Sequence, residues 1–539
     1  MKLKSLALAL SLGVAGAAVA DEQETIVYKV IGTLGDEVVT DLPVYPWKRV
    51  VVNKDEVEET LKALNSDPTV GNVRVVKPIT YSRPISSKRK YPTARQQSAQ
   101  SSKGINDPEL HQQKIWKDET SESPGQLSIE SAMGIFNSSK RMKIGVIDGG
   151  FVETGDITYA AGANFVDDSP EFRENVLDPS CENRHGTEVA HLSAAETNNR
   201  KGMAGIAKAD VYAARIFDCN GTGPSYSLTD SILWLAGENP NYVYNITPLD
   251  EPVDVINMSL ASGYPCESDI QGAIDIAISK GIAVVVAAGN EGGDSADYYP
   301  GNCEGVVTVG ANDFEGYQSY FSNHGEEVDI HATGEWVFTT RDQGEYSEVS
   351  GTSFATPIVA GHVALMKAAR PAYGAFELIQ ALKNTQKVLR DWESEKAIAG
   401  HGILDSLALA QEIANGLYDS GVFSHALLSD DRKNAKAYTQ AAARLNTCNL
   451  YEVDTPSLPM GLNGSGEYFK VFKVAEGQSL TVSAGTEVAA SQASTVLLKN
   501  VDANAQYGVG VCNSDNSSCQ SNELFDLEVR KNMTGLYCS

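Results

Sequence analysis

Between Lys143 and Ala311 the chain keeps returning to one pattern, a short apolar run followed by a segment with helical spacing. The runs are Lys143–Asp148, Asp210–Phe217, Val253–Leu260, Gly281–Asn290 and Gly305–Ala311, with helical stretches at Ser227–Ala236 and Asp269–Lys280. Runs that are apolar at successive positions leave no face for water, so they read as strands covered on both sides. Segments of about a dozen residues between them are long enough to cross over and start a parallel neighbour. The expected architecture is α/β, a parallel sheet with helices on both faces. In such sheets functional groups gather beyond the carboxyl ends of the strands.

Several polar residues stand at those ends. Asp148 closes its run and is followed by Gly149 and Gly150, and Asn290 follows Gly289 at the end of another. His185 lies in Asn183-Arg-His-Gly-Thr187, just before an alanine-rich helical stretch. Ser353 lies in Gly351-Thr-Ser-Phe-Ala-Thr-Pro357, ahead of Ala360-Gly-His-Val-Ala-Leu-Met. Gly351 permits angles that a side chain forbids, Thr352 or Ser353 suits an N-cap, and Pro357 belongs in a first helical turn. The helix start favours developing negative charge. Taken singly, Asp148 is also a turn residue, His185 a surface or cap residue and Ser353 a helix cap. Together they supply an acid, a base, a hydroxyl nucleophile and an amide donor, the parts needed for acyl transfer. Their order, Asp, His, Asn, Ser, is the subtilisin order.

The chain resembles the subtilisin-like serine peptidases over residues 105 to 412. The resemblance is carried by Val146-Ile-Asp148, His185-Gly-Thr187, Asn257-Met-Ser-Leu260, Ala287-Ala-Gly-Asn290, Tyr299-Pro300, Gly351 to Pro357 and Gly400 to Asp405. It implies Ser353 as nucleophile, His185 as general base and then acid, and Asp148 as the group that orients the imidazole. It also implies an oxyanion hole made by Asn290 and the Ser353 N–H. Ser259, Leu260, Ala261, Ala288 and Gly289 are expected to line a groove for an extended peptide. Glu188, His191 and Ala261 depart from the family pattern, and Gly149 stands where a hydroxyl residue usually supports the carboxylate. Tyr298 occupies the expected floor of the primary pocket, which implies small or medium P1 side chains. Thr197 to Met203 is similar to the family's calcium loop, with Asn199 and Asp156 as ligands of a structural calcium; a plain Asn/Gly turn is the alternative. No cofactor is expected for the chemistry.

The rest of the chain is read around that unit. Residues 1–20 carry Lys2, Lys4, a short apolar run and Ala18-Val-Ala20, the marks of an export signal. Residues 24–81 read as a small α+β unit, with strands at Thr25–Val30 and Val73–Val76 and a helix at Asp55–Leu64. Residues 82–104 are polar and basic, a cuttable linker, so 21–104 are expected to be a pro-segment that inhibits the chain's own groove. Residues 105–415 form the catalytic domain, 416–439 a linker and 440–539 a small β-sandwich, with strands at Phe469–Val474, Ser479–Ser483 and Ala493–Leu498.

Eight cysteines without Cys-x-x-Cys spacing suit an oxidising compartment and argue against zinc. Cys181 with Cys219, Cys266 with Cys303, Cys512 with Cys519 and Cys448 with Cys538 are the expected disulfides. A formal charge of −27 repels nucleic acid and anionic membranes. No later run is long enough to span a bilayer. The expected product is a secreted, monomeric endopeptidase acting on proteins or peptides. The alternative is a catalytically silent relative that binds peptides or surfaces.

Overall fold

The computed structural model describes residues 23–30, 47–67, 70–80 and 90–91, most of 104–415 with short breaks, and parts of 450–531. The N-terminal unit is a sheet of β1 (Gln23–Val30), β2 (Trp47–Asn53) and β3 (Val70–Val75), in the order β2-β1-β3, with α1 (Val57–Asn65) packed on it. Every pairing in that sheet is antiparallel. Alternation along the strands sends Ile26 and Val52 inward with Leu64 of the helix, forming a core of its own. Strand β2 was not anticipated: its polar flank Trp47-Lys-Arg49 hides a Val50-Val-Val52 run.

Two short strands then lie against the larger unit. β4 (Pro78–Thr80) and β5 (Lys90–Tyr91) precede a sequence of α2 (Ile129–Met133), β6 (Met142–Asp148), β7 (Tyr159–Asn164), α3 (His185–Ala194), β8 (Ala209–Arg215), β9 (Thr222–Pro224), α4 (Ser225–Leu235), β10 (Val255–Met258) and α5 (Ser268–Ser279). The chain continues through β11 (Ala283–Ala287), β12 (Val307–Asn312), β13 (Ile330–Thr333), β14 (Val337–Asp342), β15 (Glu345–Val349), α6 (Thr352–Ala369), α7 (Ala375–Asn384), β16 (Lys387–Arg390), β17 (Ala397–Ile403) and α8 (Ser406–Asn415). Residues 82–104, read as linker alone, contribute β5, which pairs with β15.

The main sheet has nine strands in the order β16-β17-β13-β12-β11-β10-β6-β8-β7. Every pairing within it is parallel except β16 with β17. β10 and β11 are buried at every position, as their unbroken apolar runs require. β6 has sequence-later strands on both sides, β8 and β10, so the strand order reverses at β6. That switch point opens a crevice at its carboxyl end, where Asp148 lies.

The C-terminal part holds β18 (Leu450–Asp454), β19 (Glu467–Ala475), β20 (Thr486–Ser491), β21 (Thr495–Lys499), β22 (Ala505–Asn513), β23 (Phe525–Asp526) and β24 (Arg530–Lys531). They form two antiparallel sheets, β21-β18-β24 and β20-β19-β22-β23. Ser479–Ser483 is not a strand: Val482–Ala484 form a 3-10 turn capped by the Thr481 side chain, a local bond that competes with strand pairing. The expected linker 416–439 lies outside the described residues, as do Cys448, Cys538 and the leader 1–20.

Candidate active site

Asp148 ends β6 with its side chain fully buried, and both carboxylate oxygens lie 2.9 Å from His185 Nδ1. With Nδ1–H donating to the carboxylate, Nε2 is the ring atom left to face an incoming group. His185 opens α3, and its backbone N–H donates to Asn183 Oδ1 at 3.1 Å. The hydroxyl that Gly149 lacks is replaced by its own N–H, which donates to Asp148 Oδ1 at 2.7 Å. Gly150 is needed where it stands: its φ is +77°, and a Cβ there would lie 2.6 Å from the Asn183 carbonyl. Burial pulls the His185 pKa down and the Asp148 charge pushes it up; the balance lies above the ordinary imidazole value.

Ser353 stands in the first turn of α6. The N-cap is Gly351 at φ +153°, not Thr352 or Ser353, and no side chain of its own caps the helix. The cap comes from across the sheet, because Asn290 Oδ1 accepts from Thr352 N at 2.8 Å and from Thr352 Oγ1 at 2.9 Å. That leaves Asn290 Nδ2, which is buried and has no hydrogen-bond partner. A Cβ on Gly351 would sit 3.3 Å from that nitrogen, so the glycine is what lets the amide approach.

Pro357 lies in the second turn rather than the first. Lacking an N–H, it releases the carbonyl of Ser353, four residues back, and the Ser259 hydroxyl donates to that carbonyl at 2.8 Å. Ser353 Oγ in turn donates to the Ser259 carbonyl at 3.2 Å. Phe354, the next residue, holds its ring 5.4 Å from the His185 ring. Asp148, His185, Asn290 and Ser353 therefore share one rim, although more than 200 residues separate the first from the last.

The subtilase family description matches residues 139–407, and these include all four. Subtilisin Savinase of Lederbergia lenta is 34% identical over 245 residues, 45% of this chain and 82% of that one. The chain belongs to the subtilase family. The thermostable alkaline protease of Halalkalibacterium halodurans is 35% identical over 272 residues, half of this chain and 67% of its own. An extracellular protease of Xanthomonas campestris pv. campestris is 33% identical over 305 residues, and this chain spans about half of its length. A solved protease structure from Pseudoalteromonas arctica aligns with TM-score 0.51 at 29% identity, covering 57% of this chain and 99% of that one. The subtilase is a subtilisin-like serine endopeptidase.

Around the centre, the groove is built differently from the sequence expectation. The Ala288 N–H donates to Val309 O and its carbonyl accepts from Asn323 Nδ2; Gly289 N–H donates to Thr352 Oγ1 and its carbonyl accepts from Asn323 N. With these groups all occupied, Ala288 and Gly289 form a wall by shape and offer no ladder for a peptide. The open ladder is β9, which sequence reading missed: β4 of the N-terminal unit pairs antiparallel with it, Ile79 opposite Gly223. Its only sequence signal is the glycine-rich turn Asn220-Gly-Thr-Gly-Pro224.

Ser259, Leu260 and Ala261 are buried beside α6. Ser262 exchanges two backbone hydrogen bonds with Tyr299, which fixes the neighbouring Tyr298 between facing loops. The Tyr298 ring lies 3.6 Å from a Cβ position on Gly263 and 3.3 Å from one on Gly293.

The departures in the His motif have structural partners of their own. Glu188 is buried and accepts from Ser347 Oγ at 2.9 Å and pairs with Arg341 at 3.3 Å, tying α3 to the β14–β15 hairpin. His191 donates from Nδ1 to Thr187 O and meets Thr154 Oγ1 with Nε2, both at 2.8 Å. Burial holds its pKa down to about 4, so it stays neutral. Cys181 bonds to Cys219, Cys266 to Cys303, and Cys512 to Cys519.

Asp156 and Asn199 come together, Asn199 Nδ2 donating to Asp156 Oδ1 at 2.7 Å. Asp107, which sequence reading missed, binds the same loop through the N–H groups of Asn198 and Asn199. Burial with Asp107 nearby raises the Asp156 pKa to about 7. Among the described residues there is no cluster of three or more His, Cys, Asp or Glu suited to a metal.

Proposed function

We propose that this subtilase is an exported endopeptidase that cleaves extended polypeptides through an acyl-enzyme and is made as a zymogen. The observation that carries the reading is Asn290 Nδ2, a buried donor with no partner beside Ser353. A buried N–H left unsatisfied is costly, and a tetrahedral oxyanion at Ser353 would satisfy it. In the forward step Ser353 Oγ attacks the peptide carbonyl while His185 Nε2 takes its proton and Asp148 stabilises the imidazolium. Asn290 Nδ2 and the Ser353 N–H hold the oxyanion. Collapse expels the amine, which leaves with the proton from His185. Water, deprotonated by His185, then releases the acid and regenerates Ser353. A serine-directed phosphonate should label the protein and fail to label Ser353→Ala; an unlabelled parent would favour a silent peptide binder.

Residues 21–104 act as the pro-segment in this reading, 105–415 as the catalytic domain and 440–539 as an accessory β domain after the linker 416–439. The antiparallel seat of β4 on β9 supports inhibition by occupation of the groove. Export through the leader 1–20 agrees with the name of the Xanthomonas relative, and the protein acts as a monomer.

Tyr298 limits the primary pocket. Tyr298→Gly should move the P1 preference from small or medium toward Phe and Tyr in cleavage profiling; an unchanged profile would place the pocket floor elsewhere.

A structural calcium at Asp156 and Asn199 is the one cofactor proposed. The donor set fits, with hard oxygens of two buried acids, Asp107 and Asp156, on one loop. Chelation should lower the melting temperature by several degrees, as the loss of a bound ion from the folded state requires. Restoration by calcium but not magnesium would support the site, and an unmoved melting curve would remove it.

A further inference from the structure

Alternation gives the N-terminal sheet two faces, and the face away from its own core is charged. Val27 pairs with Arg49 on β2 and with Arg74 on β3, so both arginines flank one residue of the central strand on one side of the sheet. The neighbouring Ile26, Val50 and Val75 face α1. Both arginines reach the helix pair α4–α5 of the peptidase unit. Arg74 clasps Asp269 bidentately, with Nη2 2.7 Å from each oxygen and Nε 3.1 Å from Oδ1. The same guanidinium pairs with Glu267 at 2.8 Å and lies 3.4 Å from Ser225 Oγ. Arg49 pairs with Asp230 and lies 4.6 Å over the Tyr226 ring. Lys77, just before β4, places its ammonium 4.1 Å over Tyr264.

The acids on the receiving side are deeply set, with side-chain exposures of 1% for Asp269, 8% for Asp230 and 11% for Glu267. Carboxylates this buried are costly unless paired, and here their guanidinium partners come from another unit of the chain. Their hydrogen bonds and ion pairs run to the N-terminal unit and within α4–α5, not to Asp148, His185, Asn290 or Ser353.

We propose that α4 and α5 carry an arginine-binding surface, separate from the catalytic groove, whose occupant is the N-terminal unit through Arg49 and Arg74. This surface, more than the three-residue β4 ladder, holds the unit on the peptidase once the linker is cut. The bidentate Arg74–Asp269 fork supplies geometric selectivity that lysine cannot copy. The proposal rests on the pro-segment reading for its biological setting, but its test does not depend on self-cleavage.

Full-length Ser353→Ala is nicked with trypsin at the basic Lys88-Arg89-Lys90 run of the linker and passed over a sizing column. In low salt the N-terminal fragment should co-elute with the remainder, and in about 1 M salt it should separate. Asp269→Asn or Asp230→Asn should speed its release roughly thirtyfold or more, as loss of one partner of a buried pair does. The exchange Arg74→Asp with Asp269→Arg should recover co-elution, a result that general loss of structure would not give. If either acidic variant melts early, Arg49→Gln and Arg74→Gln carry the same comparison from the other side. A fragment that stays bound at high salt and in every variant, or that never stays bound in the parent, overturns the proposal. Because the chain tested is inactive, failure here is separate from failure of the peptidase reading. In the active background, matured Asp269→Asn should keep the parent kcat/KM.

Discussion

Ser353→Ala will lower turnover of a peptide anilide by about 10⁶, while the folded protein keeps nearly all of its stability. The size of the loss is the one measured for the nucleophile of subtilisin, a member of the same family; the direction follows from the site. Without Oγ there is no acyl-enzyme, His185 has no proton to take, and only the oxyanion donors and substrate binding remain. Those leave a residual rate about 10³ above the uncatalysed one, by direct attack of water. The stability term is small because Oγ makes one long hydrogen bond, to Ser259 O at 3.2 Å, a contact of about 1 kcal/mol or less. The variant should therefore melt close to the parent. If self-cleavage removes the pro-segment, it should also accumulate as a longer chain that retains the N-terminal unit, visible by mass spectrometry of the secreted ends. Turnover within tenfold of the parent would displace Ser353 from the proposed role.

The parts of the site that could be read from sequence are those in which one residue type in one local setting suffices. Asp148 and Asn290 end continuous apolar runs, and the runs alone place them at the carboxyl rim of a parallel sheet. Ser353 precedes an alanine-rich helix, and a helix start has few other uses for a Gly-Thr-Ser sequence. What escaped is non-local. Asn290 caps α6 from across the sheet, so the helix looked from sequence as if it needed Thr352 or Ser353 as its cap. Pro357 read as first-turn because its missing N–H is tolerated there; Ser259, nearly a hundred residues earlier, is what makes the second turn acceptable.

The same limit explains β9 and Asp107. A three-residue strand has no period to detect, and β9 exists because β4 pairs with it. Asp107 lies ahead of the whole sheet and meets the Asn199 loop only after folding. Departures from a pattern were visible but not interpretable. Glu188 breaks the His motif, yet the structure gives it Ser347 and Arg341, turning a conspicuous substitution into a strut between α3 and the hairpin that leads to Ser353.

Asp148→Asn separates orientation from charge, and its pH profile is the sharper result. Two things hold His185 in working order: its Nδ1 faces both oxygens of Asp148 at 2.9 Å, and the carboxylate charge offsets the burial that would otherwise depress its pKa. An asparagine keeps the shape but can present an N–H to Nδ1, which puts the ring proton on Nε2, where it cannot accept from Ser353. Turnover should fall by about 10⁴, the size found when the triad acid of another serine protease is made neutral. The sign of the pH shift follows from the same charge. Peptidase activity needs neutral His185, so it is lost as pH falls through the His185 pKa, and in the parent that pKa is raised. Removing the Asp148 charge leaves burial as the main influence, so the imidazolium becomes harder to form. The acid limb of kcat/KM should move to lower pH even as the plateau drops. Glu188, whose charge also raises the pKa, is unchanged in the variant and keeps its part of the effect. An acid limb that stays in place would mean that another group controls the profile, and one that moves to higher pH would reverse the electrostatics argued for this site.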